Sequence, residues 1–198
     1  MAGEDRWLLI GLGNPGPKYV RTRHNYGFLV IDQLARDLAV TEWREKSKGL
    51  YAEARIGESP VLLLKPQTFM NASGDSACQF AAFYKIPASR VLVAVDDYAL
   101  PFGTRRLRGE GGDGGHNGLK SLAGFFGTKY ARLRLGIRSR QVEIHERTPQ
   151  TDFVLQNFSE EEAVELPALV KDSAQAMRHV VDSGLAAAMN RWNRSPAP

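Results

Sequence analysis

Short, continuous apolar runs alternate with stretches whose apolar residues recur every three or four positions. Trp7-Leu8-Leu9-Ile10, closed by Gly11, and the run 91–95 (VLVAV) have no polar alternation. Such runs predict strands buried on both faces. Residues 51–56 and 61–64 predict two more strands, and Gly57-Glu58-Ser59-Pro60 between them predicts a hairpin turn. Residues 104–108 and 133–137 complete the predicted strands. Phe28, Ile31, Leu34 and Leu38 have helical spacing and predict a helix from about Asn25. Ser73 is the expected cap of a helix over roughly 74–84, which Pro87 keeps from continuing. A further helix should follow the glycine-rich stretch and run to about Phe126. Ser159 with Glu162 forms a capping-box pattern that opens a helical region, expected to break near Pro167. Residues 185–192 predict a last short helix. Alternating strands and helices with one inserted hairpin predict an α/β fold: a single three-layer α/β/α domain with a mixed, mostly parallel central sheet. The expected core spans about residues 6–193 of 198, with a fraying tail at 195–198.

Composition narrows the function classes. Apolar residues make up 43% and charged residues 24%, which excludes a disordered or collagen-like chain. Cys78 stands alone, so no intrachain disulfide forms. No apolar run reaches the roughly 20 residues a membrane span needs, and too little precedes Trp7 for a signal or transit peptide. No membrane association and a cytoplasmic location are the expectations. The charge is unevenly spread. Residues 104–140 hold nine basic residues against two acidic ones, a net of +7, whereas 141–183 carry nine acids and three bases, a net of −6. A concentrated basic segment points to a polyanionic partner, nucleic acid first, with a merely solvated basic face as the bland alternative.

The polar chemistry gathers in four loops next to apolar strands, where ligands of such folds bind. Gly11-Leu12-Gly13-Asn14-Pro15-Gly16 fits a dinucleotide fingerprint. However, Pro15 and Pro17 delay the helix whose N-terminus would meet a pyrophosphate, and no strand-terminal acid follows about twenty residues on. The four histidines and one cysteine have no zinc spacing, and nucleotide-loop and serine-elbow motifs are absent, so no cofactor and no metal are expected. What remains is His24, Asp96 and several asparagines. A histidine is partly neutral near pH 7 and can take a proton from water; a carboxylate can orient the ring, and carboxamides can hold carbonyl and hydroxyl groups. That set suits metal-free hydrolysis of an ester. The bland alternatives are that His24 caps a helix, Asp96 caps a turn and Asn71 caps the helix near Ser73.

Residues 11–28 (GLGNPGPKYVRTRHNYGF), 65–74 (KPQTFMNASG), 95–103 (VDDYALPFG) and 111–122 (GGDGGHNGLKSL) together resemble, in order, the motifs of the bacterial-type peptidyl-tRNA hydrolase family. Residues 132–137 and 152–158 match later segments, so the resemblance covers nearly the whole chain. It implies cleavage of the ester joining a peptide to the tRNA 3′ ribose, which recycles tRNA from stalled translation, by a monomer acting on the acceptor stem and CCA end. It implies that His24 is the base, that Asp96 polarises it and that Asn14 separates blocked from free aminoacyl groups. Asn71 and Asn117 would hold substrate and tRNA, and Tyr19 and Phe69 would line the tRNA-end site. Arg108 and Arg134 would clamp a phosphate with Arg106 and Lys120 nearby, and His116 would lie in the same binding motif. An uncharged, asparagine-lined cleft would disfavour a free α-ammonium, which would lose hydration without a carboxylate partner. Ala99 stands where many relatives carry an acid, while Glu110 and Asp113 enter the glycine loop and would weaken phosphate binding. The competing reading is an RNA-binding relative without turnover, of the intron-splicing kind.

Overall fold

The computed structural model describes residues 6–140 and 147–193. His145 and the expected fraying of 195–198 lie outside the described residues. Seven strands form one sheet: β1 (Trp7–Gly11), β2 (Arg44–Lys46), β3 (Gly49–Ile56), β4 (Ser59–Pro66), β5 (Val91–Pro101), β6 (Arg105–Arg108) and β7 (Ala131–Arg138). Their order is β2-β3-β4-β1-β5-β7-β6. The inner four, β4, β1, β5 and β7, run parallel, and β3, β2 and β6 add antiparallel at the two edges. The helices are α1 (Tyr26–Asp37), α2 (Ser73–Phe83), α3 (Asn117–Phe126), α4 (Gln150–Phe153), α5 (Glu160–Ser183) and α6 (Leu185–Trp192).

Alternation along β1 divides the core in two. Leu9 buries with Ile31 and Leu34 of α1 and Ala174 and Met177 of α5. Leu8 and Ile10 bury on the other face with Phe80 of α2 and Leu119 and Leu122 of α3. Helices therefore cover both faces, as the continuous apolar runs require. Among the described residues, no helix is long and apolar enough to cross a membrane.

Three local expectations change, and one strand was not foreseen. β5 runs on past the apolar stretch to Pro101, so Asp96 and Asp97 lie in a strand, not in the loop after it. The extension is held by pairing with β7, where Asp96 is opposite Leu135 and Asp97 opposite Gly136. Ser73 is the first residue of α2 and donates its hydroxyl to the Met70 carbonyl at 2.9 Å, so it does not cap the helix. Pro167 lies inside an unbroken α5. The helix outlasts the lost backbone donor because Val170, Ala174, Met177 and Val181 keep one face buried. β2, short and charged, carried no strand signal. The capping box of Ser159 and Glu162 forms as expected.

One close approach positions the site. A Cβ on Gly11 would lie 2.3 Å from the Gly27 carbonyl oxygen, and one on Gly27 would lie 2.4 Å from that of Ala94. Only glycine lets the start of α1 rest against the ends of β1 and β5. The turn that precedes α1 carries His24, and β5 carries Asp96.

Candidate active site

His24 lies in the 3-10 turn Arg23–Asn25, and its ring Nδ1 is 3.0 and 2.9 Å from the two oxygens of Asp96. Both residues are buried. Burial alone would lower the imidazole's affinity for a proton, but the charge and hydrogen bond of Asp96 outweigh it and raise the His24 pKa above 6.5. For Asp96, burial works toward a neutral carboxyl. The facing imidazoles of His24 and His116 overcome it and hold the group well below the usual carboxylate range. His116 Nε2 is 3.0 Å from Asp96 Oδ1. The nitrogen and oxygen donors of these three residues lie within 4.8 Å of one another, close enough to hold a metal ion, although each already bonds within the group. The trio comes from three distant segments, which is why spacing along the chain gave no sign of it.

The turn that carries His24 is tied down on its far side. The His24 amide donates to the Val154 carbonyl at 2.8 Å and the Arg23 amide to that of Gln156 at 2.9 Å. Arg23 is itself buried, 2.5 Å from Glu162 and stacked over Phe153 and Phe158. Breaking a buried ion pair by removing one partner costs about 3–5 kcal/mol, so this turn is rigidly set.

Asn14 is fixed by two neighbours. Asn25 accepts the Asn14 amide at 2.8 Å and returns its own Nδ2 to the Asn14 carbonyl at 3.0 Å. The Met70 amide donates to Asn14 Oδ1 at 2.8 Å. A backbone amide can only donate, so the side-chain oxygen is the atom turned to Met70 and Nδ2 remains for a ligand. Asn25 was not singled out from the sequence; its only signal was its place beside His24.

A cavity of about 400 Å³ opens beside the trio, with Asn117, Asp97, Asp113 and Arg134 in its wall. The cleft is therefore not uncharged. Asp97 is paired with Arg134 at 2.6 Å, while Asp113 turns one oxygen to the Gly115 amide at 2.8 Å. Asn71 lies exposed in the turn Met70–Ala72. Tyr19 and Phe69 meet edge-on at 6.3 Å between ring centres, with Phe69 59% exposed.

The basic segment divides by position. Arg106 is opposite Arg134 and Arg108 opposite Arg132 in the β6–β7 register. Like charges directly opposite repel, but two of the four guanidinium groups are engaged locally, one by an acid and one by backbone carbonyls. Arg134 pairs with Asp97, and the buried Arg132 donates to the carbonyls of Gly111, Gly112 and Thr128. Arg132 is thus a clasp for the glycine loop, a role the sequence did not reveal. Arg105 and Arg140 pair with Asp172 and Glu165. Arg106 and Lys120 remain exposed and Arg108 half-buried.

Comparison with known proteins shows the family to which the chain is similar. The family model described as peptidyl-tRNA hydrolase matches residues 8–198. A peptidyl-tRNA hydrolase from Chloroflexus aggregans is 43% identical over 189 residues, covering 94% of this chain and 98% of the relative. One from Porphyromonas gingivalis is 42% identical, covering 95% of this chain and 100% of the relative. The crystal structure of peptidyl-tRNA hydrolase from Acinetobacter baumannii superposes with a TM-score of 0.85 at 33% identity, covering 98% of this chain and 96% of that one.

Proposed function

The chain belongs to the peptidyl-tRNA hydrolase family, and from that premise we propose how its own residues divide the work. The activity is hydrolysis of the ester between the peptide and the tRNA 3′ ribose, which returns tRNA from stalled or aborted translation. The observation that carries the assignment of roles is the His24 ring held by both oxygens of Asp96 at 2.9–3.0 Å. Asp96 keeps the hydrogen on Nδ1, so Nε2 presents a lone pair. His24 takes a proton from water through Nε2 as the water oxygen attacks the acyl carbon. The imidazolium then returns the proton to the departing 3′ oxygen, leaving a free carboxyl on the peptide and a hydroxyl on the tRNA. Asp96 stabilises the imidazolium in between.

Asn14 Nδ2 donates to a peptide carbonyl, an acceptor that a free aminoacyl group, with its ammonium, does not offer at that place. Asn71 and Asn117 hold the acyl group and the terminal ribose. Tyr19 and Phe69 stack bases of the single-stranded CCA end. Arg106, Arg108 and Lys120 meet acceptor-stem phosphates, with Arg134 behind them. These contacts read backbone and not sequence, as an enzyme serving many tRNAs requires. The protein acts as a monomer and as one domain. A pure RNA binder would have no use for the buried His24–Asp96 pair.

Cleavage of N-acetyl-aminoacyl-tRNA, compared with unblocked aminoacyl-tRNA, tests the reading. Wild type should cleave the first and spare the second. In Asn14→Asp the Met70 amide keeps its acceptor, while the second carboxylate oxygen can pair with an ammonium. The preference for the blocked substrate should fall by roughly tenfold or more; unchanged selectivity would remove Asn14 from that role. Salt dependence tests the RNA face. In Arg106→Ala with Arg108→Ala, each lost phosphate contact should flatten the slope of log affinity against log salt by roughly 0.7–0.9. An unaltered slope would place the phosphates elsewhere. Arg134→Ala is the poorer probe, because it also strips Asp97 of its cation.

A further inference from the structure

We propose that His116 is a positioning residue: by capping α3 it is locked as the Nε2–H tautomer, and in that form it fixes the carboxylate plane of Asp96 for His24. The inference rests on the reading of His24 and Asp96 as base and orienter. The His116 ring sits just before the first turn of α3, and its Nδ1 accepts the amides of Gly118 at 3.1 Å and Leu119 at 3.3 Å. Backbone amides only donate, so Nδ1 carries a lone pair and the ring hydrogen is on Nε2. That hydrogen faces Asp96 Oδ1 at 3.0 Å. A carboxylate gripped by His24 alone could turn about its Cβ–Cγ bond; a second donor at one oxygen stops the rotation.

Both nitrogens of His116 are thus occupied, and its side chain is only 11% exposed. No ring nitrogen remains for an RNA group. The same residue starts the helix that carries Asn117 and Lys120, so the RNA-holding helix and the proton-transfer pair share one rigid joint.

Two variants separate capping from buttressing. Asn is a good helix cap, but its short carboxamide does not reach Asp96. Gln places an N–H where Nε2 stood and forfeits the cap. For His116→Asn we expect a wild-type melting temperature, an unchanged KM and a kcat lowered roughly tenfold, a small part of what a general base supplies. For His116→Gln we expect a lower melting temperature with kcat restored to within about threefold of wild type. Nitrogen-15 imidazole spectra of the intact chain, with the His116 signals assigned by their loss in His116→Asn, should show Nδ1 unprotonated and Nε2 protonated. The opposite tautomer overturns the proposal. So does a pair of variants that both raise KM and leave kcat alone, the result expected of an RNA contact. Asp96→Asn measured beside them separates the two levels. If it is crippled while His116→Asn runs at full rate, only the role of His116 is refuted; if it too runs at full rate, the pair itself is misread.

Discussion

His24→Ala should lower kcat for N-acetyl-aminoacyl-tRNA by roughly 10²–10⁴, the range a positioned general base contributes. Affinity for tRNA should stay within a few-fold, because the ring faces Asp96 and the cavity while the cationic face lies on β6 and α3. Single-turnover rates and filter binding measured on the same preparation would show both. A variant cleaving at near wild-type rates would mean that another group takes the proton from water. The wild-type pH profile carries the same information. Only the neutral ring can act as base, and Asp96 raises its pKa above 6.5. Activity should therefore be lost as pH falls through a value above 6.5, with the full rate on the alkaline side. A profile flat down to pH 5 would contradict the assignment.

Asp96→Asn should be comparably damaging, lowering kcat/KM by roughly 10³–10⁴. The buried carboxylate accepts from His24 and from His116, whereas a carboxamide offers one accepting oxygen and an NH2 that donates. One imidazole must then face an N–H. If His24 yields, its hydrogen moves to Nε2, and the nitrogen that should take the proton from water no longer can. The acid limb of whatever activity remains should also move to lower pH, since the charge that raises the His24 pKa is gone. A loss below about tenfold would show that Asp96 packs the site without orienting the base.

Much of the frame was legible because burial writes itself into local pattern. The runs at 7–10 and 91–95 are apolar throughout because helices cover both faces of β1 and β5, and the Ser159–Glu162 box is a purely local exchange of bonds. The errors also have local causes. Proline marks a helix break only if tertiary packing does not outweigh it, and at Pro167 the buried face of α5 does. β2 is three charged residues, Arg44, Glu45 and Lys46, so it carried no apolar pattern that would give a sign. The identities of His24, Asp96 and Asn14 came from motif resemblance, and the structure adds how each is held. That part was not legible. Arg23 meets Glu162 across 139 positions, His116 meets Asp96 across 20, and Arg132 turns inward from a segment whose net charge pointed outward to RNA. Pair contacts at such separations leave no periodicity.

The tether behind His24 bears on how this enzyme is born. While the ribosome is still building it, the chain is itself a peptidyl-tRNA, the kind of molecule it will later cleave. The carbonyls of Val154 and Gln156 and the carboxylate of Glu162 seat the turn around His24, and they are synthesised more than a hundred residues after it. Until they clear the exit tunnel the turn that presents the imidazole lacks these anchors, so the base is fully seated only after they have been made.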